Sequence, residues 1–78
     1  MSTQDSTDQA LACALRRLRQ DSGSTQEDLA YNAGITVAAL ARIERGQTNP
    51  RWTTVRRIGS GLKISLAELI AAVEDAPV

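Results

Sequence analysis

Apolar residues fall at helical intervals through most of the chain, broken by short polar stretches that carry capping or turn residues. Leu11, Ala14, Leu15 and Leu18 recur every three or four positions, the spacing of one buried helix face, and predict a first helix over about residues 8–21. Thr7 or Asp8 is placed to cap it, and Ser22-Gly23 to stop it, with Gly23 free to adopt a left-handed conformation. Residues 1–7 are polar after the initial Met and are expected to form a disordered tail. Thr25 caps a second helix, and Asp28, three residues on, completes a capping-box pair. Glu27 and Asp28 also suit the positive end of that helix dipole. Leu29, Ala30 and Ala33 form its inner face.

Gly34 permits the positive φ of a sharp turn, and Thr36 caps a third helix anchored inward by Leu40 and Ile43 and ended by Gly46. Residues 47–50 read as a loop. A fourth helix follows over about residues 52–61, with Val55, Ile58 and Leu62 inward. Gly59 and Gly61 weaken it by about 1 kcal/mol each relative to Ala, and their expected use is close approach to a neighbouring backbone. Ser65 caps a fifth helix with Leu66, Leu69, Ile70 and Val73 as an apolar stripe, and the chain frays from Asp75. The expected fold is all-α, with five helices in one domain over residues 8–75.

Residues 26–46 organise the functional argument. Two short capped helices joined by a glycine turn, with a basic end on the second, form a helix-turn-helix, which sets one helix in the major groove of DNA. Ala30 is small, so the second helix of the pair can cross close over the first. Gly34 makes the turn, and Leu40 and Ile43 bury one face of the recognition helix and leave the other free.

Composition narrows the picture further. With 78 residues, no Phe, one Trp and one Tyr, the core must be built from aliphatic side chains, which favours packed helices. A domain this small has a marginal core and no room for a separate sensor. Nine bases balance nine acids, so net charge does not point to nucleic acid, but their distribution does. Arg42, Arg45, Arg51, Arg56 and Arg57 lie within sixteen residues that hold one acid, Glu44, whereas beyond Lys63 there are only acids. Cys13 stands alone in an apolar pattern and is expected to be a small buried hydrophobe. No apolar run reaches the length of a membrane span, and residues 1–9 do not resemble a signal peptide. A cytoplasmic location is therefore expected.

Thr-Gln-Glu-Asp-Leu-Ala (25–30), Arg-Ile-Glu-Arg-Gly (42–46), Asn-Pro (49–50) and Ile-Ser-Leu-Ala-Glu-Leu (64–69) resemble the Xre/Cro/cI family, the lambda-repressor-like five-helix DNA-binding domains. The resemblance spans roughly residues 10–73. It implies that Gln26 binds a DNA phosphate at the N-terminus of the second helix. It also implies that Thr36, Val37, Ala38 and Arg42 face the bases, with Ala41 near the groove, and that Arg42 makes bidentate contact to guanine. A phosphate contact or a surface ion pair is the alternative for Arg42. Arg19 and Glu44 match a structural ion pair. Asn49 and Arg51 match backbone-contacting positions, and Arg45 and Arg56 are further phosphate partners by charge and position. Trp52 stands where the family usually has an aliphatic residue and is read as core or interface packing. The run from Thr25 to Tyr31 is similar to that of restriction–modification controller proteins. Antitoxins and phage-type repressors fit the length equally well.

Three positions depart from the family pattern. Ser24 replaces a common Leu, Lys63 replaces a common Gly, and the apolar Val37, Ala38 and Ala39 leave few hydrogen bonds at the front of the third helix. Specificity would then rest on thymine methyl contacts, Arg42 and DNA shape. The functional expectation is a transcriptional regulator that binds double-stranded DNA as a homodimer on a two-fold-symmetric operator. Trp52, Leu66, Ile70 and Val73 are its expected dimer interface. The alternative is a protein-interaction module, such as an antitoxin, with weak DNA binding. No metal, cofactor or small-molecule ligand is expected, nor an enzyme, since the chain lacks His, an acid pair and a phosphate loop.

Overall fold

Hydroxyl caps and left-handed stops, placed a few residues apart, divide this chain into helices. The computed structural model describes residues 3–77, with side chains described from Gln9 onward. Its five helices are α1 (Thr3–Asp21), α2 (Gln26–Ala33), α3 (Val37–Glu44), α4 (Trp52–Gly61) and α5 (Leu66–Asp75). There is no strand among the described residues. Thr25 Oγ1 accepts from the Asp28 N–H at 3.0 Å while Asp28 reaches back to the Thr25 N–H, so the expected capping box forms. Ser65 and Glu68 form a second one at the start of α5.

Helix α1 starts at Thr3 rather than near residue 8. Residues 3–7 contain neither Gly nor Pro, so nothing in the backbone stops the helix where its apolar pattern ends. Residues 1 and 2 of the expected tail, and the Thr7 and Asp8 side chains expected to cap α1, lie outside the described residues.

Four helices end in the same way. After α1, α2, α3 and α4, the N–H two residues past the last turn returns to the carbonyl five residues earlier. These bonds are Ser24 to Arg19 (3.2 Å), Ile35 to Ala30 (3.0 Å), Gln47 to Arg42 (3.0 Å) and Ile64 to Gly59 (3.1 Å). This is the Schellman arrangement, which needs a left-handed residue just before the returning N–H. Gly23, Gly34 and Gly46 supply it three times, and Lys63 supplies it the fourth time at φ 60°. The expected glycine position is thus kept in conformation but filled by a residue that must bear the left-handed strain.

Each helix sends one large aliphatic side chain fully into the centre: Leu15, Leu29, Leu40, Ile58 and Leu69. Burying each contributes on the order of 1.5–3 kcal/mol. Helix α2 packs on α4 and on α3, while α1 packs on α5 and on α3, so α3 rests on α1 and α2. The α2–α4 crossing is close at Gly61. A methyl group there would stand 3.1 Å from Leu29 Cδ1 and 3.2 Å from the Ala33 nitrogen, whereas at Gly59 the nearest atom, Leu69 Cδ2, is 3.9 Å away. Of the two glycines expected to allow close approach, Gly61 is the one that does. Cys13 is half-buried rather than buried, because it lies at the edge of the α1 face that Ala14 and Leu15 fill.

Urea unfolding tests this packing. Gly61→Ala should destabilise by about 1–3 kcal/mol through overpacking, and Gly59→Ala should not. Lys63→Gly should stabilise by about 1 kcal/mol by relieving the left-handed residue. Equal stability of the two Gly→Ala variants would contradict the close α2–α4 approach.

Candidate nucleic-acid interface

The helix-turn-helix pair is built around the inner face of α3. Leu40 and Ile43 are buried in the core and Glu44 is only 3% exposed. Thr36 caps the helix, its hydroxyl oxygen accepting from the Ala39 N–H at 3.0 Å. That bond uses a lone pair and leaves the O–H free to donate. Ala38 and Arg42 are exposed along the outer face, Thr36 and Val37 are exposed at the front end of the helix, and Ala41 is half-buried at the boundary with the core. Arg45 is the exposed C-cap of α3. In the loop and at the start of α4, Asn49 and Arg51 are exposed, and Arg51 caps α4 without a side-chain hydrogen bond. Among the described residues the salt bridge is Arg19–Glu44, and Arg42, Arg45, Arg51 and Arg56 have no acidic partner among them.

The structural pair expected from the sequence is bidentate. Arg19 Nε donates to Glu44 Oε2 at 2.8 Å and Nη2 donates to Oε1 at 3.0 Å, while Nη1 donates to the Ser24 carbonyl at 3.0 Å. The hydrogen bond to Glu44 raises the Arg19 pKa further above its ordinary range, against the opposing effect of burial, and the Glu44 and Glu27 charges add to the rise. The Ser24 contribution to this network comes from its backbone carbonyl and is independent of its side chain.

Gln26, expected at a DNA phosphate or as a plain polar residue of the first turn, also bonds within the protein: its Nε2 donates to Glu44 Oε1 at 3.0 Å. The side chain is half-buried. Nothing in local sequence spacing signals a bond between positions 26 and 44. It arises only because α2 and α3 cross.

The expected interface residues divide. Trp52, Ile70 and Val73 come together with Leu11, Val55, Leu69 and Glu74 around an apolar groove of about 260 Å³ between α1, α4 and α5. Trp52 and Ile70 are 57% and 51% exposed, large values for side chains of this size. Leu66 stands apart from the groove and packs against the core. The α4 face carrying Arg56 forms a separate polar depression with Thr53, Arg57 and Ser60. Among the described residues no His, Cys, Asp and Glu cluster is arranged to hold a metal ion, and no helix is long and apolar enough to cross a membrane.

A family model described as a helix-turn-helix domain matches residues 10–72. The chain is 40% identical over 60 residues to the HTH-type transcriptional regulator DdrOP3 of Deinococcus deserti, covering 77% of this chain and 46% of that protein. It is 33% identical over 61 residues to the HTH-type transcriptional regulator y4dJ of Sinorhizobium fredii, covering 78% of this chain and 79% of that one. The chain thus spans less than half the length of DdrOP3. Among solved structures, a mutant of the restriction–modification controller protein C.Esp1396I matches with a TM-score of 0.85 at 26% identity, over 87% of this chain and 88% of that one. The clp gene regulator ClgR from Corynebacterium glutamicum matches with a TM-score of 0.84 at 25% identity, over 92% of this chain and 94% of that one.

Denaturant unfolding separates the buried pair from the exposed arginines. Arg19→Ala should cost about 3 kcal/mol by leaving the buried Glu44 without its counterion, and Arg42→Ala should change stability by less than about 0.5 kcal/mol. Similar stability of the two variants would contradict the structural role of the pair.

Proposed function

The chain belongs to the helix-turn-helix family of transcriptional regulators, and from this we propose that it is a DNA-binding homodimer that sets α3 of each subunit in successive major grooves of a two-fold-symmetric operator. Its family members are regulators rather than enzymes, and the binding reading follows from that membership. The observation that carries the finer reading is the two-sided character of α3. Leu40, Ile43 and Glu44 are locked inside, while Ala38 and Arg42 stand exposed on the opposite face and Thr36 and Val37 are exposed at the front end of the helix.

In this reading Arg42, exposed on α3, offers its fork to guanine O6 and N7. The Val37 and Ala38 methyl groups meet thymine methyls, and the free Thr36 O–H donates to a base edge or phosphate. Gln26, Arg45, Asn49 and Arg51 engage the sugar–phosphate backbone and fix the register. Positive charge from Arg42 through Arg57 supplies the counterion-release term that a net charge of zero conceals.

The apolar groove at Trp52, Ile70 and Val73 supports pairing with a second copy. Symmetric dimers are the commonest oligomers, and half-sites one helical turn, about 34 Å, apart suit a dimeric reader. The resemblance of residues 25–31 to controller proteins and the likeness to C.Esp1396I favour the controller subclass over antitoxin or phage repressor.

A second reading, a protein-interaction module, draws on the exposed apolar front at Val37 and Ala38, which offers no side-chain hydrogen bond. A titration with duplex DNA against salt separates the two. The DNA-binding reading expects log K to fall steeply with log salt, and the interaction module expects no binding even at low salt.

Two variants test the details. Arg42→Ala should cost about 1–3 kcal/mol of binding and relax the preference at one operator position, whereas equal losses on specific and random DNA would make Arg42 a phosphate ligand. Ile70→Asp should convert the dimer to monomer. An unchanged sedimentation coefficient at micromolar concentration would remove the groove from the interface.

A further inference from the structure

Glu44 is held by two side chains at once. Its Oε2 accepts from Arg19 Nε, and its Oε1 accepts from both Arg19 Nη2 and Gln26 Nε2. A carboxylate can only accept, so the Gln26 amide must turn its NH2 group, and not its oxygen, toward Glu44. One of the two N–H bonds is used there and the other remains. Gln26 is half-buried rather than enclosed, at the first residue of α2.

We infer that Glu44 is a positioning residue for the DNA backbone: it holds Gln26 Nε2 so that the remaining N–H meets a phosphate oxygen, and one amide nitrogen bridges a buried carboxylate and the nucleic acid. This rests on the DNA-binding reading given above. Arg19 makes the arrangement electrostatically tolerable. By closing a bidentate pair with Glu44, it presents the incoming phosphate with a neutral unit instead of a bare carboxylate. Positions 19, 26 and 44 thereby join fold and binding, since the bond that ties α2 to the end of α3 also aims the phosphate ligand. Gln26 carries no charge, so its contact releases no counterion, and the salt slope is the wrong observable for it. Affinity at fixed salt and the amide's own NMR signals are the right ones.

The test uses the full chain, labelled with 15N, and a duplex recovered by selection from a random pool. In the free protein the two Gln26 side-chain amide protons should differ widely in shift and exchange slowly, and added duplex should move the proton that Glu44 does not hold. Gln26→Ala should bind about tenfold more weakly, as for one hydrogen bond to a charged group. Gln26→Asn keeps the amide but is one methylene too short to reach Glu44, and should bind as weakly as Gln26→Ala. Glu44→Ala, with its folded fraction measured, should lose about the same factor, and adding Gln26→Ala to it should cost nothing more. Wild-type affinity for Gln26→Asn or for Gln26→Ala, or additive losses in the double variant, would overturn the inference while DNA binding stands. Failure of the wild-type chain to bind any duplex at low salt would overturn both.

Discussion

A carboxylate with 3% of its surface exposed can persist inside a small helical domain only if its acceptor sites are matched by donors. Glu44 meets that condition with three hydrogen bonds from two side chains, and the requirement shapes the molecule around it. Arg19 must come from the last turn of α1 and Gln26 from the first turn of α2. The end of α3 must lie where both reach it. These three helix termini converge on one carboxylate, whose burial would be costly without both partners. Fork-to-fork geometry makes the constraint directional as well as strong.

The outer face of α3 is a consequence. With Glu44, Leu40 and Ile43 turned inward, the helical period brings positions 38, 42 and 45 to the other side, leaves Ala41 at the boundary, and exposes Val37 only because it is the first residue of the helix. No separate device is needed to expose them. The core behind α3 is thin, with one fully buried large aliphatic side chain from each helix, so a polar anchor at one end of α3 matters more here than in a larger protein. The same shortage of core explains the groove between α1, α4 and α5. Five short helices cannot cover every apolar stripe, and Trp52 and Ile70 are left standing in solvent.

Much of this was legible along the chain because helix ends are local chemistry. Thr25 with Asp28 announces a capping box, Ser65 announces a helix start, and Gly23, Gly34 and Gly46 announce left-handed stops, each within a window of four or five residues. The inward positions of α2 through α5 followed from periodicity alone. Lys63 shows the limit of reading by residue type, since the backbone keeps a glycine conformation without the glycine. The start of α1 at Thr3 escaped because a helix can run past its apolar stripe without any signal. The Gln26–Glu44 bond, eighteen positions apart, and the part that Leu11 and Val55 take in the groove escaped for a different reason. They depend on how helices cross, and crossing is set by the whole set of packed side chains. Leu66 was grouped with Ile70 by its stripe, yet the small rotation between them turns one to the core and leaves the other out.

The helix-turn-helix family model covers residues 10–72, the segment of this chain that carries the buried carboxylate and the exposed side of α3. The claim at the centre of this account is that the face which Glu44 helps to hold outward reads DNA as one half of a symmetric pair. Enrichment of bound duplexes from a pool of random sequence tests it most directly. The account predicts a two-fold-symmetric pattern with half-site centres one turn, about 34 Å, apart. A pool that emerges without any shared pattern, or with a single unpaired site, would contradict it.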